Sequence, residues 1–147
     1  MRDLLLMRHA EAAPRAMDGT DFDRPLTASG RTAADRAAER LREAAPRPQL
    51  LLCSPARRAL QTAERVSAQL GLAATVLHAE PRIYLATSLA LARVIAELGG
   101  HHACVLVVAH NPAISELAHA LQPAPARSMA TAEWRHIPLS IDHWSAL

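Results

Sequence analysis

The stretch CVLVVAHNP, residues 104–112, places six apolar residues in a row before a histidine, an asparagine and a proline. A continuous apolar run of this length is typical of a strand that is buried on both faces, as in a parallel sheet. The Asn111-Pro112 pair then predicts a helix that begins here and extends to about Leu121. A strand that leads through a short polar turn into a helix is the building unit of an α/β protein.

The same order of strand and helix repeats along the chain. Further strands are predicted at residues 4–7, 50–53, 75–77 and 129–138. Further helices are predicted from a Thr27 cap to Pro46, from a Ser54 cap with Pro55 in the first turn to Gly71, and from a Thr87 or Ser88 cap to Gly99. This alternation predicts a three-layer α/β sandwich, with a mostly parallel central sheet of about five strands and helices on both faces.

The composition narrows the class of protein. A chain of 147 residues that is 50% apolar and 20% charged is expected to form a single globular domain over residues 1–147. A net charge of +2 without a basic run does not favour nucleic-acid binding. No apolar segment is long enough for a secretory signal or a membrane span, so we expect a soluble cytoplasmic protein with no membrane partner.

Polar residues follow three of the predicted strands. All 16 basic residues are arginine, which we interpret as coding bias, so the position of an arginine matters here and the total does not. Arg8-His9 follow the first strand, Arg57-Arg58 the second, and His110 the fourth. Any one of these could be an ordinary loop or capping residue. Ligands bind outside the carboxyl ends of the strands in open α/β sheets, so the three sets are expected to meet at one edge.

This combination of residue types points to phosphate chemistry. Guanidinium groups match phosphate oxygens with two parallel hydrogen bonds, and helix N-termini add backbone donors. A neutral histidine can attack phosphorus and form a covalent intermediate. Neighbouring arginine charge is expected to lower the pKa of such a histidine and keep it unprotonated near neutral pH.

Four segments resemble motifs of the histidine phosphatase superfamily and occur in the order found in that family. They are LLLMRHAEA at 4–12, DRPLTASGR at 23–31, SPARRALQTAE at 54–64 and VLVVAHNP at 105–112. The small size of the chain and the RHA form of the first motif are most similar to the SixA-like phosphohistidine phosphatases. The resemblance implies a phosphoglycerate mutase-like fold.

The resemblance also implies roles for four residues. His9 would be the nucleophile that becomes transiently phosphorylated, and Arg8 and Arg58 would contact the phosphoryl group. His110 would donate a hydrogen bond to the same group. Arg57 is expected to face elsewhere on its helix. No metal or other cofactor is expected, since no group of histidine, cysteine and carboxylate residues has zinc-ligand spacing.

The sequence departs most from the family pattern in the segment that is expected to supply a general acid. Family members that cleave phosphate esters protonate the leaving oxygen with a carboxylate from the segment after the third strand. Glu80 is the only carboxylate in that segment, HAEPRIYLATS at 78–88. Its spacing to Tyr84 along the chain does not match the pattern of the ester-cleaving members. It is either a general acid or a solvated loop residue. Asp21 and Asp23 resemble the start of a haloacid dehalogenase motif, but no apolar strand precedes them, so neither is assigned to a site.

The expected function is removal of phosphate from phosphohistidine in a protein. A labile P–N bond needs less help from an acid than a phosphate ester does. The interval from Gly71 to His110 also leaves no room for an inserted roof, which predicts a shallow pocket open to a phosphorylated protein, such as one phosphorylated on histidine for signalling or phosphotransfer. The alternatives are a small-molecule phosphomonoesterase of the same superfamily and a catalytically idle module that binds phosphoproteins.

Overall fold

A computed structural model describes all residues from 1 to 147 and contains one five-stranded sheet. Its strands are β1 (Arg2–Arg8), β2 (Leu50–Cys53), β3 (Leu77–Ala79), β4 (Cys104–Ala109) and β5 (Trp134–Leu139). They lie in the order β3-β2-β4-β1-β5. The first four are parallel, and β5 runs antiparallel to β1. The expected mostly parallel sheet of about five strands is therefore confirmed.

Helices cover both faces of this sheet. They are α1 (Ala28–Ala44), α2 (Arg57–Gln69), α3 (Ser88–Leu98) and α4 (Ala113–Leu121), with short 3-10 turns at Ala74–Val76, Pro81–Ile83 and Trp144–Ala146. Alternate strand residues point to opposite faces. Leu5 and Leu106 therefore pack in the same core as the apolar residues of α1 and α2, while Leu4 and Val105 pack with those of α3 and α4. The predicted three-layer sandwich is confirmed.

Two of the predicted helix caps are present. The Thr27 hydroxyl accepts a hydrogen bond from the Gly30 N–H at 2.9 Å, and the Thr87 hydroxyl accepts one from the Ala90 N–H at 3.1 Å. Each hydroxyl satisfies a backbone donor that the first helical turn leaves free. Gly71 follows α2 with a φ of +63°, which is the left-handed conformation expected of a glycine at a helix end.

The prediction that Ser54 caps α2 is wrong. The helix begins at Arg57, and no side chain caps it. The Ser54 hydroxyl instead accepts a hydrogen bond from the Ala56 N–H at 3.2 Å and forms another with the His110 ring. Ser54 follows the buried strand β2, so its hydroxyl lies beside His110, which follows the adjacent strand β4.

Two strand positions also differ from the prediction. The third strand was expected at 75–77, but residues 74–76 form a 3-10 turn, and pairing begins at Leu77, which lies opposite Leu51. β3 is an edge strand whose one neighbour is β2, so the position of β2 determines which residues of β3 are paired. The last strand was expected at 129–138, but residues 129–133 form a loop that packs against the end of β1, where the Ala132 N–H reaches the carbonyl of Arg8.

The interval between Gly71 and His110 contains β3, two 3-10 turns, α3 and β4, and no inserted element stands above the sheet. None of the helices combines the length and apolar character that crossing a membrane requires. The carboxyl ends of β1, β2 and β4 are bordered by connecting loops, including the loops that precede α3 and β5.

Candidate active site

The two histidines of the candidate site are neighbours because their strands are neighbours. β1 and β4 are adjacent and parallel, with Arg8 opposite Ala109, so the residues that follow these strands, His9 and His110, emerge side by side. Their ring centroids are 5.1 Å apart. The structure thus brings together two side chains that are 101 positions apart in the sequence.

His9 is held in one tautomer. Its Nδ1 lies 2.8 Å from the carbonyl oxygen of Ala10. A carbonyl can only accept a hydrogen bond, so Nδ1 carries the ring proton and Nε2 keeps a free electron pair. This leaves Nε2 as the nitrogen that can act as a nucleophile.

The environment of His9 also keeps the ring neutral. The pKa of His9 is lowered from 6.5 to about 4: burial is the largest cause, the hydrogen bond to Ala10 acts in the opposite direction, and the charges of Arg58, Arg8 and Arg24 add to the lowering. The direction agrees with the sequence prediction, but the main cause is burial, and arginine charge makes a smaller contribution to the lowering. At neutral pH the Nε2 electron pair is therefore available.

In His110 the protein occupies the acceptor nitrogen of the ring and leaves the donor nitrogen free, which is the reverse of His9. Its Nε2 lies 2.8 Å from the Ser54 hydroxyl, which already accepts the Ala56 N–H and so has its own proton to donate. We assign the hydroxyl as the donor to Nε2, which places the ring proton of His110 on Nδ1. Burial is the largest cause that lowers the pKa of His110, to about 3, so this ring is neutral as well. His110 is then a neutral hydrogen-bond donor.

Buried donors without a protein acceptor are concentrated at this site. Only four buried side-chain nitrogen or oxygen atoms have no hydrogen-bond partner in the structure: Arg2 Nε, Arg8 Nε, Arg58 Nε and His110 Nδ1. Three of them belong to the site predicted from the sequence. A buried polar group without a partner costs about 1–3 kcal/mol, so each such group needs an explanation. The oxygens of an anion such as a phosphoryl group are the type of acceptor that these donors lack.

The outer ends of both arginines are already bound to the protein. Arg8 Nη1 donates to the carbonyl of Met129 at 3.1 Å, and the Asn111 amide donates to the same carbonyl at 3.0 Å. The Ser115 hydroxyl accepts the Met129 N–H at 2.8 Å and donates to the Asn111 side chain. Arg8 is therefore anchored to a loop that α4 holds in place. The sequence contained no signal for Met129 or Ser115, because their contribution depends on the path of a loop.

Arg58 is anchored by Asp21, a residue that the sequence left unassigned. Arg58 Nη1 donates to the Asp21 carbonyl at 2.8 Å, and Nη2 donates to the Asp21 carboxylate at 3.1 Å. The same carboxylate accepts hydrogen bonds from Arg24 at 3.0 Å and from the Tyr84 hydroxyl at 2.9 Å. These contacts, led by Arg24, lower the pKa of Asp21 to about 2, so it is ionised. No strand precedes Asp21, and only the folding of its loop places it beside Arg58.

A comparison of the sequence with known protein families identifies the family of this chain. The profile of the histidine phosphatase superfamily (branch 1) matches residues 4–82, which include β1, α1, β2 and α2. This chain belongs to the histidine phosphatase superfamily. It is a phosphatase of the SixA-like branch, and its α/β fold is that of the phosphoglycerate mutase-like proteins.

Relatives and solved structures agree with this membership. An uncharacterised protein of Mycobacterium tuberculosis is 38% identical over 128 residues, which are 86% of this chain and 77% of the relative. The structure of the protein histidine phosphatase SixA complexed with tungstate is 27% identical with a TM-score of 0.81, and the match covers 93% of this chain and 88% of the other. A mycobacterial glucosyl-3-phosphoglycerate phosphatase has a TM-score of 0.70 at 22% identity, with 92% and 89% covered, which shows a shared fold alone.

Other residues of the four histidine phosphatase motifs connect the site to the helices. Thr62 Oγ1 accepts the Ala10 N–H at 3.0 Å and donates to the Arg58 carbonyl at 2.7 Å. A Cβ atom placed on Gly30 would lie 2.2 Å from the Glu11 carbonyl oxygen, so only glycine lets α1 approach the loop after His9 this closely. These contacts explain why these residue types stand at these positions.

Two further sequence predictions concern side chains beside the site. Arg57 is exposed, as expected, although Arg58 next to it is buried. Glu80 is not a solvated loop residue, since it is 8% exposed. Its carboxylate accepts the Arg82 guanidinium at 2.8 Å and lies 3.4 Å from His78, and the bond to Arg82 is the largest cause that lowers its pKa to about 2.

The structure therefore does not support Glu80 as the general acid. A carboxylate held ionised by an arginine has no proton to give near neutral pH. Its hydrogen bonds go to residues of its own turn, and none reaches the two histidines or the arginines of the site. The sequence identified the only carboxylate in the segment but could not reveal that Arg82 pairs with it.

Proposed function

We propose that this histidine phosphatase removes the phosphoryl group from phosphohistidine in a protein, through a covalent intermediate on His9. The observation that carries the proposal is the pairing of a neutral His9, whose Nε2 electron pair is free, with three buried donors that have no protein partner. A nucleophile and a set of donors for a tetrahedral anion are the two parts that phosphoryl transfer to a side chain requires.

The first step forms phospho-His9. The Nε2 electron pair of His9 attacks phosphorus, and the P–N bond of the substrate breaks with its electron pair going to the leaving imidazole. If the other nitrogen of that imidazole carries a proton, the leaving group departs neutral and no proton has to be transferred. Arg8, Arg58 and His110 hold the phosphoryl oxygens during the transfer.

The second step restores the enzyme. A water oxygen attacks phosphorus, and the P–Nε2 electron pair returns to His9. The product leaves as dihydrogen phosphate, which loses a proton to solvent. The hydrogen bond from Nδ1 to the Ala10 carbonyl can persist throughout, since it is strengthened while the phosphorylated ring carries positive charge.

The carboxylates near the site favour a nitrogen leaving group over an oxygen one. An ester releases an alkoxide that needs a proton from a general acid. Glu80 and Asp21 are both ionised and bound to arginines. A protonated imidazole needs no such acid, so the arrangement suits phosphohistidine.

Two observations favour a protein as the carrier of the phosphohistidine. No inserted element stands above the carboxyl ends of the strands, so a bulky surface can approach. The similar SixA structure is that of a protein histidine phosphatase, and the tungstate it contains is a tetrahedral oxyanion like phosphate. A small-molecule phosphomonoesterase is the second candidate, because a phosphatase of glucosyl-3-phosphoglycerate shares the fold.

A substrate panel tests the proposal. The purified protein would be assayed with a histidine-phosphorylated protein and with sugar and nucleotide monophosphates, each with and without a metal chelator. We expect a preference for the phosphohistidine protein and no effect of the chelator. A preference for an ester would favour the phosphomonoesterase, and binding of the phosphoprotein without turnover would favour the idle binding module.

Matched variants connect the activity to the site. His9→Ala should abolish turnover because it removes the nucleophile. His119→Ala is the control, since His119 is an exposed histidine on α4 outside the site. Retained hydrolysis by His9→Ala would contradict the proposed function.

A further inference from the structure

A small cavity opens on one side of the candidate active site. It has a volume of about 210 Å³, and Arg58 and His110 form part of its wall. Most of the remaining lining is apolar and includes Ile83 and Leu85. We call it the Leu85 cavity. Since Arg58 and His110 are also two of the proposed phosphoryl ligands, a group in this cavity would be next to the phosphoryl group.

Leu85 is an unusual residue in this wall. Its φ is +59°, in the left-handed region that leucine rarely adopts, and its side chain is 79% exposed although it is apolar. Strained backbone of this kind persists where the surrounding structure enforces it, and it is concentrated at functional sites. An exposed leucine at the mouth of a cavity is also in a position to contact whatever enters.

The residue before Leu85 connects this backbone to the site. The Tyr84 hydroxyl donates to Asp21, which anchors Arg58, and the Tyr84 ring lies 5.8 Å from the His110 ring. On its other side the Tyr84 ring makes an edge contact with Phe22 at 5.1 Å. The conformation that presents Leu85 is thus held by the residues that hold the phosphoryl ligands.

We propose that the Leu85 cavity binds the leaving group of the substrate and that Leu85 is a specificity-determining residue that selects a flat, weakly polar ring, such as imidazole. This inference rests on the proposed function, since it concerns the group bonded to the phosphoryl group that His9 accepts.

The chemistry of the lining disfavours a sugar as the leaving group. A sugar carries several hydroxyl groups, and each needs a hydrogen-bond partner when it is buried. The cavity has no carboxylate, and the amide of Asn111 in its wall is already bound to Met129 and Ser115. Its volume is also below the roughly 300–1,000 Å³ of pockets that enclose drug-sized ligands. A single ring fits these limits better than a sugar does.

Two small substrates separate the leaving-group site from the phosphoryl site. Phosphoramidate releases ammonia, which is too small to fill the Leu85 cavity, whereas phosphoimidazole releases the ring that the cavity is proposed to bind. The variant Leu85→Asn removes the apolar side chain, and asparagine tolerates the left-handed backbone, so the fold is expected to persist. Leu89→Asn is the matched control, because Leu89 is 61% exposed and does not line the cavity.

We expect Leu85→Asn to lower kcat/KM for phosphoimidazole about tenfold, the scale on which a lost apolar pocket contact discriminates between substrates. Its kcat/KM for phosphoramidate should stay within about twofold, and Leu89→Asn should change neither value. An unchanged kcat/KM for phosphoimidazole, or an equal loss with both substrates, would overturn the role of Leu85 and leave the proposed function standing. If the wild-type protein hydrolysed a histidine-phosphorylated protein but neither small compound, the leaving-group role of the cavity would be overturned and the proposed function would stand.

Discussion

At the scale of single residues, the site depends on which atoms are occupied by the protein and which are left free. Arg8 and Arg58 use Nη atoms to bind a backbone carbonyl or Asp21, and each keeps a buried Nε without a partner. His9 and His110 are both neutral, but one presents an electron pair and the other an N–H. This complementarity is what makes the cluster suitable for transferring a phosphoryl group.

Adjacent arginines provide a matched test of this arrangement. Arg58→Ala should lower kcat/KM about 10²–10³-fold, the usual effect of removing one donor that stabilises a transition state. Arg57→Ala should stay within about twofold, because Arg57 is exposed while Arg58 is 6% exposed. Steady-state kinetics on a phosphohistidine protein measures both. Equal losses in the two variants would show that positive charge alone, and not the buried guanidinium, supports activity.

Four of these residues could be placed at one edge of the sheet from the sequence, and the family resemblance distinguished Arg58 from Arg57. His9, Arg8, Arg58 and His110 follow strands, and the sheet brings strand ends together regardless of their separation in the chain. Asp21 could not be predicted in the same way. It lies in a loop, and its contact with Arg58 depends on the path of that loop and not on periodicity.

At the scale of elements, the site depends on how closely α1 and α2 approach the loop after β1. Thr62 of α2 bonds to the Ala10 N–H, and Gly30 of α1 lies against the Glu11 carbonyl. These contacts fix the backbone on both sides of the His9 loop. The helices therefore position the nucleophile as well as covering the sheet.

A pair of glycine variants tests this packing. Gly30→Ala should lower the free energy of unfolding by about 2–3 kcal/mol, because its Cβ would overlap a backbone oxygen that cannot rotate away. Gly71→Ala should cost only about 1 kcal/mol, since its penalty comes from the left-handed backbone alone. A Cβ at Gly71 would meet nothing within 4 Å. Urea unfolding measures both values, and a smaller loss for Gly30→Ala than for Gly71→Ala would contradict the close approach.

Element boundaries were harder to predict than elements. The boundaries of β2 and β4 agree with the sequence, because both are buried apolar runs. β3 was misplaced by two residues, since an edge strand pairs where its neighbour allows. Ser54 was misread as a helix cap because its hydroxyl is used by His110, a partner 56 positions away.

At the scale of the whole molecule, the site should make stability depend on pH. The pKa of His9 falls from 6.5 to about 4 on folding, and that of His110 falls to about 3. The folded state therefore binds these two protons less readily than the unfolded state does. Stability from this source is highest above pH 6.5, decreases as the pH falls below 6.5 because the unfolded state takes up protons first, and levels off below the folded pKa values.

Urea unfolding between pH 6.5 and 4.5 tests this dependence. The free energy of unfolding should decrease by on the order of 4 kcal/mol over this range. The carboxylates with lowered pKa values are Asp21, Glu80 and Glu133; their ordinary values of 3.8 for Asp21 and 4.5 for both glutamates mean that they contribute mainly at lower pH. A His9→Asn/His110→Asn double variant should be nearly flat over the same range. An equally steep loss in the double variant would place the acid sensitivity elsewhere in the molecule.

The central claim is that His9 Nε2 accepts the phosphoryl group. The most direct measurement is to mix the protein briefly with a histidine-phosphorylated substrate, quench with alkali and locate the phosphoryl group by mass spectrometry of peptides. We predict phosphorylation of His9 that is stable in alkali, labile in acid and lost once the substrate is exhausted. Turnover of the substrate without phosphate on His9 at any time would contradict the mechanism.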